Sequence, residues 1–139
     1  MNNQENIEID NRYMDFPDVN RIVIAGDLLY DPPLRWTKRG IPVTNFVLST
    51  HPDPEVPEPE ELRTKKCYIS VVVWSQKAIF CHENLKKGTP VMVIGELQSM
   101  PNFAPEKGFY PVQINAKWIQ ILEKGSGRRS YGSSEEYTS

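Results

Sequence analysis

Two flat rings bracket one run of the chain, Cys67-Tyr68-Ile69-Ser70-Val71-Val72-Val73-Trp74. Side chains alternate between the two faces of an extended strand. Cys67, Ile69, Val71 and Val73 therefore share one face, and Tyr68, Ser70, Val72 and Trp74 share the other. The first set is a small apolar strip suited to a core. The second carries a ring near each end, about 20 Å apart at roughly 3.3 Å per residue. Turned outward, such plates stack nucleic-acid bases without regard to sequence, because every base has a π-face. Turned inward, the same rings belong to the core of a strand buried on both sides. Cations stand close by: Lys65 and Lys66 precede the run, and Arg35, Lys38 and Arg39 surround Trp36 earlier in the chain. A ring flanked by cations has the composition of a single-strand groove, where stacking and phosphate attraction act together. The other reading of Trp36 is a half-buried hairpin tryptophan amid ordinary surface charge.

Catalytic chemistry has no comparable candidate. Metal-assisted hydrolysis needs clustered carboxylates and a base. Asp27 and Asp31 instead flank apolar Leu28-Leu29-Tyr30, and neither neighbours a histidine. His82 falls on a charged helix face as a solvated side chain. No phosphate-binding loop, nucleophile motif or metal-ligand spacing is present, so neither an enzyme nor a cofactor is expected. Cys67 and Cys81 form no C-x-x-C pair. Their places on a strand's inner face and a helix's apolar face predict buried free thiols.

The elements that must hold these residues follow from punctuation and period. Residues 20–29 read as a first strand, apolar around Gly26; Asp31-Pro32-Pro33 breaks it and residues 34–37 restart it. Lys38-Arg39-Gly40 is a turn, since glycine tolerates φ > 0, and residues 43–50 return with Phe46 and Leu48 on one face. After the ring-bracketed strand, Ser75 is placed to cap a helix over 76–87, with Ala78, Cys81 and Leu85 on one side. Leu85-Lys86-Lys87-Gly88 is its stop. Residues 91–98 form the next strand, where Gly95 suits a bend or bulge. Val112, Ile114 and Ala116 alternate as the last strand, continued through Trp118, which is expected to pack. A strand, a short helix and a strand with an internal glycine suit a small closed barrel.

The formal net charge of −2 is unevenly spread. Residues 1–18 hold five acids against Arg12, and residues 51–62, HPDPEVPEPEEL, hold five acids and no Lys or Arg. Over residues 19–125 without that segment, thirteen Lys or Arg stand against six Asp or Glu, a balance of +7. The body is basic, as a phosphate-tracking surface requires. The four prolines of residues 51–62 favour a stiff, extended, solvated loop whose acids repel phosphate. The chain divides into an arm at 1–18, one domain at 19–124, and a flexible Gly/Ser-rich tail at 125–139.

Two stretches, NRIVIAGDLLYDPPLRWTKRGIPVTNFVLST and VVVWSQKAIFCHENLKKGTPVMVIGELQ, resemble the bacterial single-stranded DNA-binding protein family. The shared features are the asparagine-led first strand with its glycine, Asp31-Pro32 followed by Arg35-Trp36, the Gly40-x-Pro42-Val43 turn, the aromatic-ended strand and the Leu-Lys-Lys-Gly helix end. The resemblance spans roughly residues 19 to 122. It implies an all-β fold: a five-stranded OB-fold Greek-key barrel with one short helix between strands 3 and 4. It further implies sequence-independent binding of single-stranded DNA, protecting it in replication, repair and recombination. The assembly implied is a homotetramer, with a dimer possible, in the cytoplasm and associated with the nucleoid.

By the same resemblance, the DNA-binding residues are Trp36, Tyr68, Trp74, Arg35, Lys38, Arg39, Lys65, Lys66 and Phe103, the last on the loop of residues 99–111 that reaches over DNA. The family's acidic, apolar-ended tail tip recruits replication and repair proteins; residues 135–139 are a faint version of it. The acidic loop at 51–62 departs from a DNA-holding loop. The rival reading is a primosome-type accessory OB-fold protein, a dimer working mainly through protein contacts. No apolar run of 18 residues is present, so no membrane span is expected. The N-terminus lacks the pattern of a secretory signal.

Overall fold

The computed structural model describes residues 7–13, 15, 17–52, 55, 57–63, 65–100 and 110–123. Six strands and one helix follow in chain order: β1 (Ile22–Leu28), β2 (Arg35–Trp36), β3 (Pro42–Thr50), β4 (Cys67–Trp74), α1 (Gln76–Asn84), β5 (Pro90–Ser99) and β6 (Val112–Ile121). A single 3-10 turn, Glu60–Leu62, lies in the acidic connection between β3 and β4.

The strands are joined in the order β1-β5-β6-β4-β3-β2, and β1 also meets β3. All neighbours run antiparallel except β4 and β6, which pair in parallel through Val71 with Ile114 and Val72 with Asn115. The ring closes where Asp27 and Leu28 of β1 pair with Ser49 and Leu48 of β3. Five strands thus form a closed barrel, and β2 is the short arm of a hairpin standing on β3. This is the Greek-key topology of an OB-fold. The helix joins β4 to β5, the third and fourth strands of the ring.

Alternation along the strands delivers the core. Phe46, Leu48, Val71, Val73, Val91, Val93 and Ile114 are buried in one cluster with Leu28 of β1. Helix α1 closes one end by burying Ala78 and Cys81, and Leu85 follows them inward from its C-cap. Each such apolar side chain contributes about 1.5–3 kcal/mol when removed from water. Gly95 marks the bend: the β5–β6 register slips between Ile94 and Gly95, and a Cβ on Gly95 would collide with the Asn115 carbonyl. Asn20, just ahead of β1, ties the strand down through its side chain. Its Nδ2 donates to the Leu97 carbonyl at 2.8 Å, and its Oδ1 accepts from the Leu97 N–H at 2.9 Å.

Four local expectations are corrected. The helix ends at Asn84 rather than 87, because Leu85 turns to an extended conformation (φ −109, ψ 153) and drops into the core. Ser75 holds the N-cap position but makes no side-chain cap bond; its φ of 66 and ψ of −142 turn the chain sharply from β4 into α1. Cys67 is a free thiol but exposed, while Cys81 is free and buried. Beyond Ile69 the inner face of β4 runs past its pairing with β6, which among the described residues is at Val71 and Val72, and Cys67 stays exposed. Trp118 does not pack inside: it is 45% exposed on the outer face, opposite Ile94. The strand bulge next to it turns its ring outward.

Candidate nucleic-acid interface

β3 and β4 pair along their whole length, and this register arranges the site. Val43 stands opposite Trp74, Asn45 opposite Val72, Val47 opposite Ser70, and Ser49 opposite Tyr68. Partners across an antiparallel pair share a face, and the other face of the same strands supplies Phe46, Leu48, Val71 and Val73 to the core. Tyr68 and Trp74 are therefore outward, 55% and 43% exposed. Six residues of strand separate them, about 20 Å at roughly 3.3 Å per residue. Val72 and Val43, on the same face, are nonetheless buried. The core reading of the two rings is thus set aside.

One cation lies over a plate, and a second shares the row of the other. The Lys66 ammonium lies over the Tyr68 ring, 5.4 Å from its centroid. Arg35 of β2 stands opposite Val43 and so joins the row of Trp74. Its Nη1 donates to the Asn45 Oδ1 at 2.8 Å. Lys65 is exposed immediately before β4. Lys38 and Arg39 are exposed on the β2–β3 turn, where Gly40 takes a φ of +83 and the Thr37 carbonyl accepts the Gly40 N–H.

Trp36 is placed differently. It follows Arg35 on β2 and pairs with Pro42, so the pleat sets it on the opposite side from Arg35 and Trp74. It is 58% exposed there. The structure brings Arg35, Lys66, Tyr68 and Trp74 onto one face and leaves Trp36 on the other side of the hairpin. Phe103 lies outside the described residues; the base of its loop is tied by the Met100 N–H donating to the Pro111 carbonyl at 3.0 Å. His82, expected to be solvated only, has its Nδ1 2.9 Å from the Pro32 carbonyl and fastens α1 to the segment before β2. Asn45 was not singled out by sequence; its signal was its place between core residues Phe46 and Thr44 on an alternating strand.

Among the described residues no group of His, Cys, Asp and Glu is arranged to hold a metal ion. No helix among them is long and apolar enough to cross a membrane. The face offers two aromatic plates, flanking cations and neutral polar groups between them. Aromatic plates can stack bases, and cations attract phosphates.

The sequence that builds this barrel is matched by known proteins. Residues 19–122 match the single-strand binding protein family. The chain is 36% identical over 125 residues to single-stranded DNA-binding protein 2 of Chlorobaculum tepidum, an alignment covering 86% of this chain and 80% of that protein. It is 31% identical over 119 residues to the single-stranded DNA-binding protein of Caldanaerobacter subterraneus, covering 85% and 77%. Against single-stranded DNA-binding protein A of Bacillus subtilis it is 31% identical over 121 residues, covering 84% and 68%. This chain belongs to the single-strand binding protein family.

Proposed function

We propose that this protein binds single-stranded DNA independently of sequence, as a non-catalytic member of its family serving replication, repair and recombination. The observation that carries this is the outward pair Tyr68 and Trp74 on one strand, with Lys66 and Arg35 beside them. Bases stack on the rings, and the cations meet the phosphates that link those bases. Lys65, Lys38, Arg39, Trp36 and Phe103 complete the DNA-binding set.

The test is a titration with oligo-dT followed by tryptophan fluorescence at several salt concentrations. Strong quenching is expected, together with a log affinity that falls with log salt by about 0.7 per phosphate contact. Tight binding without quenching, or a flat salt dependence, would overturn the reading.

The working unit is a homotetramer. Supporting this, β1 pairs with β3 at Asp27 and Leu28, and Gly26 packs against Ser49, so residues 22–25 keep a strand edge open among the described residues. Open edges invite pairing with another strand. Val23, 60% exposed, stands opposite Ile94, which stands opposite Trp118, an apolar row across the outer face of three strands. Edge pairing across a two-fold axis and burial of this row together build dimers into a tetramer. Sedimentation showing only monomer with DNA binding intact would sink this assembly.

A further inference from the structure

We infer that Asn45 is a positioning residue for DNA binding, holding Arg35 over the strip between the two aromatic plates. The inference rests on the reading of the Tyr68–Trp74 face as the DNA site. By register, the Arg35 backbone belongs to the Trp74 row, opposite Val43. Its guanidinium is nevertheless bonded to Asn45, one row nearer Tyr68 on the same face. The bond therefore draws the charged head inward from the hairpin arm, toward buried Val72, which stands opposite Asn45 between the rings, one row from Trp74 and two from Tyr68. A single strand stacked on both plates must carry its phosphates across this strip.

Arginine offers five N–H donors in a rigid fork. Asn45 uses the Nη1 end, and among the described residues no carboxylate is within ion-pair distance of Arg35 to neutralise it. The head is fixed by a neutral acceptor and keeps its full charge and remaining donors for phosphate. A carboxylate at residue 45 would hold the head equally well and cancel its charge. An alanine would release a long side chain from an exposed two-residue arm into water, where the ordering needed for DNA contact must come from binding itself.

A double-mutant cycle tests this in the full chain, with oligo-dT affinity measured against salt for Asn45→Ala, Arg35→Gln and the pair. Asn45→Ala should weaken binding about three- to tenfold and lower the salt slope by up to about 0.7, one phosphate contact. The pair should bind no more weakly than Arg35→Gln alone, because Asn45 acts only through Arg35. Asn45→Asp should keep the thermal midpoint and show the same loss of slope. If the two single losses simply add, if Asn45→Ala leaves the slope unchanged, or if it binds as wild type does, the positioning role is overturned. Should Asn45→Ala melt early, Asn45→Asp carries the test, and an unaltered slope in that variant overturns the role. A face that does not bind DNA reveals itself separately: Trp74→Ala and Arg35→Gln would both leave affinity unchanged, removing the reading beneath the inference.

Discussion

The Lys66 ammonium sits 5.4 Å from the centre of the Tyr68 ring, so in the free protein one plate of the proposed site is already covered by a cation. A base that stacks there must move the lysine aside, and the phosphate beside that base then receives it. The cation–ring contact is worth about 0.5–1 kcal/mol at an exposed site. Its replacement by a charge-assisted phosphate contact is favourable only while salt is low. Lys66→Gln should accordingly weaken oligo-dT binding in dilute salt and approach or exceed wild-type affinity in concentrated salt, where the bare ring stacks freely. Two parallel salt plots, the variant weaker by one constant factor throughout, would rule this exchange out.

Trp74 separates stacking from packing. Its ring is 43% exposed, while Val43, its cross-strand partner, is buried. Trp74→Ala should cost about 1–3 kcal/mol of binding for the lost stacked base. Folding should suffer much less than the roughly 3–5 kcal/mol of a core aromatic deletion. Melting curves and oligo-dT titrations on the same variant check the pairing; a melting point far below wild type with normal affinity would reverse the assignment.

Ser75 carries the one positive φ among the described non-glycine residues. At φ 66 and ψ −142 it occupies backbone space that side chains avoid, and its hydroxyl makes no compensating cap bond. Ser75→Gly should raise stability by about 1 kcal/mol, the relief of strain exceeding the added flexibility of the unfolded chain. For a domain of this size that is a rise of a few degrees in the thermal midpoint. A lower midpoint would mean that the serine hydroxyl stabilises the turn after all.

The two thiols should behave oppositely. Cys67 is exposed and should react at once with a thiol reagent, whereas buried Cys81 should react only on unfolding. Burial pushes the Cys81 thiol up from its ordinary value of 9.0 to about 12. The folded state thus keeps a proton that the unfolded chain releases above pH 9. Stability contributed by this group is complete below that pH and falls toward pH 12 by up to about 1.4 kcal/mol per unit. Denaturant titrations at pH 8 and pH 10.5 should show the decline, and Cys81→Ala should lessen it.

What sequence made legible was whatever depended on local period. The alternation in β3 and β4 sorted their residues into two faces, the helix face of Ala78, Cys81 and Leu85 was visible, and Gly95 announced the register slip. What stayed hidden depended on where neighbouring strands stop. Cys67 lies on the inner side of its strand yet meets no β6 partner, and Trp118 was turned outward by a bulge that shifts its parity. The Arg35–Asn45 bond needed the β2–β3 register, which two residues of hairpin arm do not announce. Trp36 and Arg35 read as one cluster because they are adjacent in sequence, and adjacency in a strand is what sets side chains on opposite faces.

The short seams of the barrel have a mechanical meaning. β1, β5 and β6 form one continuous ladder, and β2, β3 and β4 another. Among the described residues, strand pairing stitches the two ladders where Asp27 and Leu28 meet Ser49 and Leu48, and where Val71 and Val72 meet Ile114 and Asn115; the Leu29 N–H also donates to the Val47 carbonyl beside the first seam. The second ladder bears the rings and the first bears the open edge and the apolar row. On the proposed reading, DNA would load the ribbon that bears the rings, and the assembly contacts would load the other. Opening both seams would part the two ribbons while leaving the ladder hydrogen bonds within each intact.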